Sequence, residues 1–330
     1  MEIYKLNKNE FNIGHVDDKH NIYAKYMDND EVNIMKQCIL KHWCDVTSLT
    51  SQCCALFHGA EDALKNILKY HRMKFQNIMM FNFCWDYYKQ LGLCYQYNVV
   101  EIDSETDTPC CLSVKDMLLK LNDKSIVLLG LPNNPTGECL DLSVLETIIK
   151  QHTDSHFIFD CTYEEPCIFK NVFDRLYYNK NVTLIGSYSK FYGLPSLRFG
   201  FALNSNYMHI FDKYLGFNNN TFDVIYSVMN DYKYYKQNRE EIHQFIENLN
   251  EYKNINIIKN GQPFVFARLN NSVNTNSMID YIEKKTKCVL KYIVKDGATY
   301  VRISISSDPI IKKKCLEVLN MIDTYLDENK

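Results

Sequence analysis

Short apolar segments alternate with amphipathic, helix-like segments between about residues 55 and 205 of the chain. Apolar segments of this length are typical of buried strands, and their alternation with helical patterns predicts a parallel sheet covered by helices. We therefore expect one doubly wound domain in this region. The predicted strands are NIMMFN (77–82), YNVVEI (97–102), SIVLLG (125–130), HFIFD (156–160), VTLIGS (182–187) and RFGFAL (198–203).

Two of the helical segments begin with signals of the capping-box type. Ser113 is followed by Asp116, and Ser143 is followed by Glu146. A hydroxyl at the N-cap and an acidic side chain three residues later bond the backbone N–H groups that a first helical turn leaves without partners. Both signals therefore predict helix N-termini at the serines.

The pattern changes beyond about residue 206, where longer polar helices precede three more strand-like segments. These are FVFARL (264–269), VLKYIV (289–294) and TYVRISI (299–305), and a last helix follows near Asp308 and Pro309. Strands with intervening helices predict a second, smaller α+β domain. We expect a large domain of residues 30–225 and a small domain formed by residues 1–29 and 226–330.

The composition excludes several classes of protein. Of 330 residues, 46% are hydrophobic, which is enough for a substantial core. The 37 basic and 40 acidic residues give a net charge of -3 without a basic run, so nucleic acid is not an expected partner. No apolar stretch approaches the roughly 18 residues that span a bilayer, and the N-terminus lacks a secretory pattern. We expect a soluble, cytoplasmic protein.

Thirteen cysteines are scattered along the chain, and two pairs are adjacent, Cys53 with Cys54 and Cys110 with Cys111. None of them forms a CxxC motif or a Cys/His cluster with zinc spacing. We interpret them as reduced, mostly buried thiols, and we expect no metal site.

The most informative segment is SYSKFYGLPSLRFGF, residues 187–201. Lys190 follows a predicted strand, lies beside the hydroxyls of Ser187 and Ser189, and precedes Arg198 by eight positions. Hydroxyls and a guanidinium bind phosphate, while an amine forms an imine with a carbonyl, so the segment suits a phosphorylated carbonyl cofactor. A solvated lysine and a structural arginine are the alternative.

This segment resembles the lysine motif of class I/II aminotransferases, which are pyridoxal 5'-phosphate (PLP) enzymes. In that motif a Thr or Ser, any residue, a Ser and the Schiff-base Lys precede a GLxGLRxG-like run, which here reads GLPSLRFG. The resemblance is closest to the histidinol-phosphate aminotransferases and threonine-phosphate decarboxylases. It implies an aspartate aminotransferase-like fold, a homodimer, and PLP bound to Lys190 as a Schiff base.

Two loops after predicted strands carry further family motifs. LPNNPTGE (131–138) resembles the Asn-Pro-Thr-Gly loop, which implies that Asn134 hydrogen-bonds the phenolic oxygen of the cofactor. In FIFDCTYEE (157–165), the resemblance places Asp160 at the pyridine nitrogen and Tyr163 at the phenolic oxygen. A carboxylate there keeps the nitrogen protonated, so that the ring accepts electrons. A plain turn and a capping aspartate are the alternatives.

HGAEDALKNIL (58–68) is typical of a glycine turn that opens a helix. The backbone amides of Ala60 and Glu61 would then face an anion along the helix dipole, as in the first phosphate-binding loop of the family. By itself this signal is weak, because any glycine before a helix gives it.

A tryptophan and an arginine complete the predicted site. In FCWDYYKQL (83–91), alignment with the family makes Trp85 the residue that stacks on the cofactor ring and Tyr88 its neighbour, while a core aromatic is the alternative. Arg302, within TYVRISI, corresponds to the family arginine that binds the substrate α-carboxylate. An edge-strand salt bridge is the alternative for Arg302.

Six motifs in family order predict a PLP-dependent aminotransferase for an amino acid or amino-phosphate and a 2-oxo acid. Three other functions stay open: a PLP-dependent decarboxylase, a PLP-binding pseudoenzyme or regulator, and a nucleotide enzyme that uses the Gly59 turn. HNIYAKYMDND (20–30) and Gln262-Pro263-Phe264 depart from the family pattern, and both changes concern substrate recognition. Tyr23 and Tyr26 are candidates for contacts across a dimer.

Overall fold

The computed structural model describes residues 4–5, 27–103, 114–121, 124–211, 216–259, 264–270, 275–295 and 297–329. These residues form two compact units that divide between Tyr232 and Lys233. The large unit is described from Met27 onward, and the small unit includes strand β1 (Tyr4–Lys5). Ser113, Cys110, Cys111, Tyr23, Tyr26, Gln262 and Pro263 lie outside the described residues.

The division differs from the predicted boundaries at residues 29 and 225. Helix α7 (Asn219–Asn230) runs across the later boundary, and the ring of its Phe222 packs against Phe199, with centroids 5.9 Å apart. At the earlier boundary, the N–H of Met27 donates to the carbonyl of Phe217 at 3.0 Å. These contacts hold both segments in the large unit.

Within the described residues, the large unit contains a seven-stranded sheet of order β2-β8-β7-β6-β5-β3-β4. Strand β8 is antiparallel to both of its neighbours and the other pairings are parallel, so the predicted doubly wound, mostly parallel fold is confirmed. The strands are β2 (Cys54–Phe57), β3 (Asn77–Phe81), β4 (Asn98–Ile102), β5 (Ser125–Gly130), β6 (His156–Asp160), β7 (Val182–Ser187) and β8 (Gly200–Leu203).

Helices of the large unit bury regularly spaced apolar residues against this sheet. Besides α7, these helices are α1 (Asn29–Cys44), α2 (Ala60–His71), α3 (Asp86–Cys94), α4 (Val114–Lys120), α5 (Leu142–Gln151) and α6 (Pro166–Leu176). In α2 the apolar residues Ala60, Ala63, Leu64, Ile67 and Leu68 are all buried, at the spacing that defines one helical face. Burying a side chain such as Leu64 stabilises the fold by about 2 kcal/mol.

The predicted capping box at Ser143 is wrong. Helix α5 begins at Leu142, and Asp141 is its N-cap. The Asp141 carboxylate accepts from the N–H of Ser143 at 2.6 Å, so a stronger acceptor two residues earlier has taken the capping position.

The small unit is an antiparallel sheet with helices, as predicted for an α+β domain. Its four-stranded sheet has the order β12-β13-β10-β9, and β1 pairs in parallel with β11. The predicted strand 289–294 is split by Leu290. The elements are α8 (Tyr232–Glu247), β9 (Ile255–Ile258), β10 (Phe264–Leu269), α9 (Thr275–Thr286), β11 (Cys288–Val289), β12 (Lys291–Lys295), β13 (Ala298–Ser304) and α10 (Pro309–Glu328).

Helix α10 is the longest described helix, and it begins where the sequence predicts. Asp308 is its N-cap and Pro309 its first residue. In the part of the chain that the structure describes, no helix combines the length and apolar character needed to cross a bilayer.

None of the described cysteines forms a disulfide. Six of them are buried, and burial is the largest influence raising the pKa of thiols such as Cys161 and Cys315. A protonated, buried thiol is chemically inert, so these cysteines are part of the packing.

A buried polar cluster lies at the end of the sheet where β6 begins. The Tyr207 hydroxyl is 2.9 Å from Nε2 of His71 and 3.1 Å from Nε2 of His156, and Thr183 Oγ1 is 2.8 Å from the latter nitrogen. Burial lowers the pKa of His71 from 6.5 to about 3 and that of His156 well below 6.5, with a smaller contribution from the charge of Lys74. Both imidazoles are therefore neutral in the folded state at neutral pH.

We expect this cluster to make the large unit sensitive to mild acid. The folded state resists protonation of both imidazoles, so below pH 6.5 the unfolded state binds more protons and stability falls. Between pH 7 and pH 5 the free energy of unfolding should fall by about 2 kcal/mol for each histidine. Denaturant unfolding at both pH values measures this change.

His71→Asn should reduce the difference in unfolding free energy between pH 7 and pH 5 by the contribution of one histidine, about 2 kcal/mol. Tyr207→Phe is the control, because it removes the hydroxyl that hydrogen-bonds both histidines without removing an imidazole. It should lower stability similarly at both pH values. A His71→Asn protein with the full wild-type pH dependence would refute the prediction.

Candidate active site

The predicted site residues of the large unit gather at the carboxyl ends of the parallel strands. Asp160 is the last residue of β6, Ser187 is the last residue of β7, and Lys190 follows in the next turn. Asn134 follows β5, and Trp85 follows β3. Since ligands of open α/β sheets bind at this edge, the topology brings these separate segments to one site.

Asp160 is buried, with 6% of its surface exposed, and is held by two hydroxyls. Its Oδ2 accepts from the Tyr88 hydroxyl at 2.8 Å. Its Oδ1 accepts from the backbone N–H of Thr162 at 3.0 Å and from the Thr162 hydroxyl. The carboxyl group is therefore fixed in one orientation.

Burial raises the pKa of Asp160 above its ordinary value of 3.8. The hydrogen bonds from Thr162 and Tyr88 and the charge of Lys190 act in the opposite direction, but burial is the larger influence. A cationic ligand beside this carboxyl group would favour its ionised form. The chemistry of the site therefore suits a protonated nitrogen at Asp160.

Lys190 is on a turn in which its carbonyl accepts from the N–H of Gly193 at 3.0 Å. Its side chain is partly exposed, and Nζ is 5.7 Å from the centroid of the Tyr163 ring. Tyr163 is itself buried, with 7% of its surface exposed. The structure thus brings together the three residues that the sequence predicts to be catalytic: Lys190, Asp160 and Tyr163.

The glycine turn before α2 meets Arg198 in space. Gly59 has φ of 85°, and a Cβ atom there would lie 2.8 Å from Nη2 of Arg198. Arg198 Nη2 donates to the carbonyl of His58 at 3.4 Å. The first N–H groups of α2, from Ala60 and Glu61, have no partners within the helix, and they lie at the positive end of its dipole. Amides and guanidinium together would form a cradle for an anion.

Ser187 and Ser189 are buried beside this cradle. The N–H of Ser189 donates to Ser187 Oγ at 3.1 Å, which closes the turn before Lys190. Ser187 pairs with Gly200 in the sheet, and a Cβ atom on Gly200 would lie 3.0 Å from the backbone nitrogen of Ala60. The two predicted phosphate-binding segments are therefore adjacent.

The loop after β5 is held by Asn133, a residue that is not among the predicted site residues. Its side-chain amide donates to the carbonyl of Phe83 and to Thr136 Oγ1, both at 2.9 Å. Asn133 is buried, whereas Asn134 is partly exposed. Gly137 has φ of 76°, the left-handed region that favours glycine. The loop thus presents Asn134 at the edge of the sheet.

Trp85 and Tyr88 are neighbours at the start of α3. Their rings meet edge to face, with centroids 5.5 Å apart, and Trp85 is partly exposed. The family alignment predicts Tyr88 only as a neighbour of the stacking residue, whereas its hydroxyl bonds Asp160 directly. Only its position three residues after Trp85 hinted at this contact.

Arg302 belongs to the small unit, where β13 lies between β12 and β10. An edge-strand salt bridge is therefore the wrong alternative for this residue. Arg302 has 4% of its surface exposed, and its guanidinium carbon is 5.7 Å from the centroid of the Phe264 ring. The buried aromatic face favours a guanidinium, which stays charged when buried.

Comparison with known proteins identifies relatives of the chain. The family model for aminotransferase class I and II matches residues 16–308. A histidinol-phosphate aminotransferase of Campylobacter jejuni (strain RM1221) is 27% identical over 242 residues, which are 67% of this chain and 63% of that protein. That of Campylobacter jejuni subsp. doylei is 40% identical over 96 residues, only 27% of this chain and 26% of that protein.

Two solved structures share the fold. The aspartate aminotransferase of Thermotoga maritima is 16% identical, with a TM-score of 0.77 over 99% of this chain and 92% of its own. The histidinol-phosphate aminotransferase of Sinorhizobium meliloti, solved in complex with pyridoxal-5'-phosphate, is 16% identical, with a TM-score of 0.74 over 91% of this chain and 84% of its own. These likenesses confirm the predicted aspartate aminotransferase-like fold.

We expect Gly59→Ala to damage the anion cradle. The added methyl group would displace the Arg198 guanidinium, and the positive φ would strain the backbone, at a cost of about 1 to 3 kcal/mol in stability. Affinity for PLP, measured by absorbance titration, should fall about tenfold or more, because charge-assisted hydrogen bonds are lost.

Gly216→Ala provides the control, since Gly216 also has a positive φ of 62° but a Cβ atom there would meet nothing within 4 Å. This variant should lose about 1 kcal/mol of stability and keep its affinity for PLP. Equal affinity in the two variants would contradict an anion site at Gly59.

Proposed function

Because the chain belongs to the class I and II aminotransferase family, we propose that it is a PLP-dependent aminotransferase with Lys190 as the residue that binds the cofactor. One observation carries the proposal. The Lys190 amine and the buried carboxyl group of Asp160 lie at the carboxyl edge of the sheet, where the Gly59 turn and Arg198 also meet.

The residues suit each part of the cofactor. The Gly59 turn, Arg198, Ser187 and Ser189 offer donors for a phosphate, and the amides of Ala60 and Glu61 add the field of the α2 dipole. Asp160 offers a fixed carboxylate for a protonated ring nitrogen. Asn134 and Tyr163 offer donors for the phenolic oxygen, and Trp85 offers an aromatic surface for the ring.

When bound, pyridoxal phosphate supplies a carbonyl group for amine exchange and a conjugated ring that delocalises negative charge from the substrate Cα. In the proposal, the Lys190 amine takes the proton from the substrate Cα and delivers it to the carbon through which the cofactor would retain the amino group. Asp160 keeps the ring nitrogen protonated. Arg302 binds the substrate carboxylate through its planar guanidinium.

We propose an amino acid or amino-phosphate as the amino donor and a 2-oxo acid as the acceptor. Transamination is preferred to decarboxylation because the curated relatives named above are histidinol-phosphate aminotransferases. The presence of both Lys190 and Asp160 argues against a pseudoenzyme. We extend the proposal to a homodimer on the basis of the family resemblance.

Replacing the lysine tests the proposal most directly. Wild-type protein mixed with PLP should develop a visible absorbance band that particular amino acids bleach, and Lys190→Ala should show neither change, because alanine has no amine. Lys170→Ala is the control, since Lys170 is a partly exposed lysine paired with Asp174. Identical spectra of the Lys190→Ala and wild-type proteins would refute the assignment.

Replacing Asp160 should separate cofactor binding from catalysis. Asp160→Asn preserves the shape of the side chain but removes its charge, so the absorbance band should form while turnover falls about a hundredfold or more. The same change at the exposed Asp174 should leave turnover unchanged. Wild-type turnover in Asp160→Asn would show that this carboxyl group has no catalytic role.

A further inference from the structure

Two tyrosines flank Lys190 symmetrically, at Tyr188 and Tyr192. Their rings are stacked, with centroids 5.1 Å apart and planes at 19°. Both rings are buried, with 0% and 1% of their surfaces exposed, whereas Lys190 is partly exposed. The backbone on each side of the lysine is therefore anchored in the core.

Two consecutive residues in the last turn of α1 bond these tyrosines. Nε1 of Trp43 donates to the Tyr188 hydroxyl at 2.9 Å, and Nε2 of His42 shares a hydrogen bond with the Tyr192 hydroxyl. Trp43 is completely buried. Burial lowers the pKa of His42 to about 4, so the bond to Tyr192 joins two neutral groups at neutral pH.

The turn that carries Lys190 is closed by its own backbone. The N–H of Leu194 donates to the carbonyl of Tyr188 at 3.1 Å, so residues 188–194 form a compact loop. A tyrosine hydroxyl buried without a partner is costly, which means that each bond to α1 favours one arrangement of this loop over others. Lysine has a long flexible side chain, and the direction of its stem depends on the position of its backbone.

We propose that α1 is a positioning element for Lys190, in which His42 and Trp43 hold the two tyrosines that flank the lysine so that its amine is aimed at the cofactor carbonyl. This inference rests on the proposed function. The four side chains would not touch the cofactor. They would act through the backbone of the loop, which sets how often the amine reaches its target.

The test compares Tyr188→Phe/Tyr192→Phe with the full-length wild type. These substitutions keep both stacked rings and remove only the hydroxyls. Mixed with PLP, the double variant should form the visible absorbance band about tenfold more slowly, a factor within the range expected for the loss of the two buried hydrogen bonds to α1. Its affinity for pyridoxamine phosphate, which has no carbonyl, should stay within about twofold of the wild type, because positioning of the amine is not needed for that ligand.

Tyr97→Phe is the matched control. Tyr97 is a buried tyrosine whose hydroxyl donates to the carbonyl of Leu68 at 2.6 Å, so its loss should affect stability but neither measurement. A second pair, His42→Leu and His42→Gln, tests the α1 side of the contact. Glutamine can still hydrogen-bond Tyr192, so band formation should be faster in His42→Gln than in His42→Leu.

The results distinguish this inference from the proposed function. An absent band in the wild type would overturn both. A normal band in the wild type, with equal rates in the double variant and Tyr97→Phe, would overturn the positioning role alone. A loss of affinity for pyridoxamine phosphate in the double variant as large as its loss of rate with PLP would do the same, because it would indicate general damage to the fold.

Discussion

Burial of the Asp160 carboxyl group is the constraint around which the site is built. A carboxylate removed from water is unstable unless donors and a positive charge compensate it. Tyr88 and Thr162 supply the donors, and Lys190 supplies a nearby charge. Three segments, which follow β3, β6 and β7, therefore converge on this carboxyl group.

Much of the fold was readable from the chain because the central strands are continuous apolar runs, and β5, β6 and β7 are buried along their whole length. Two short strands are not predicted. Strand β2 has only four residues, directly after a 3-10 helix at Ser51–Cys53, and β9 likewise has four. A run of four residues has little periodicity of its own. The partner of β2 is the distant strand β8, whereas β9 pairs with the neighbouring β10.

The candidate site likewise contains residues that the sequence predicts and contacts that it does not. Lys190, Asp160 and Asn134 stand in local motifs, so their positions were predictable from neighbouring residues. The bond from Tyr88 to Asp160 and the bonds from α1 to Tyr188 and Tyr192 join residues far apart in the chain. A single sequence shows which side chains are present, whereas such pairings depend on how the helices pack on the sheet.

The contact between Gly59 and Arg198 has a consequence for how this chain diverges from its relatives. The guanidinium occupies the volume that any side chain at position 59 would need. A larger residue at position 59 would have to push this flexible guanidinium aside and would also be strained by the φ of 85°, so the constraint acts mainly on the glycine. Relatives whose sequences have otherwise drifted widely are expected to keep a glycine at this position.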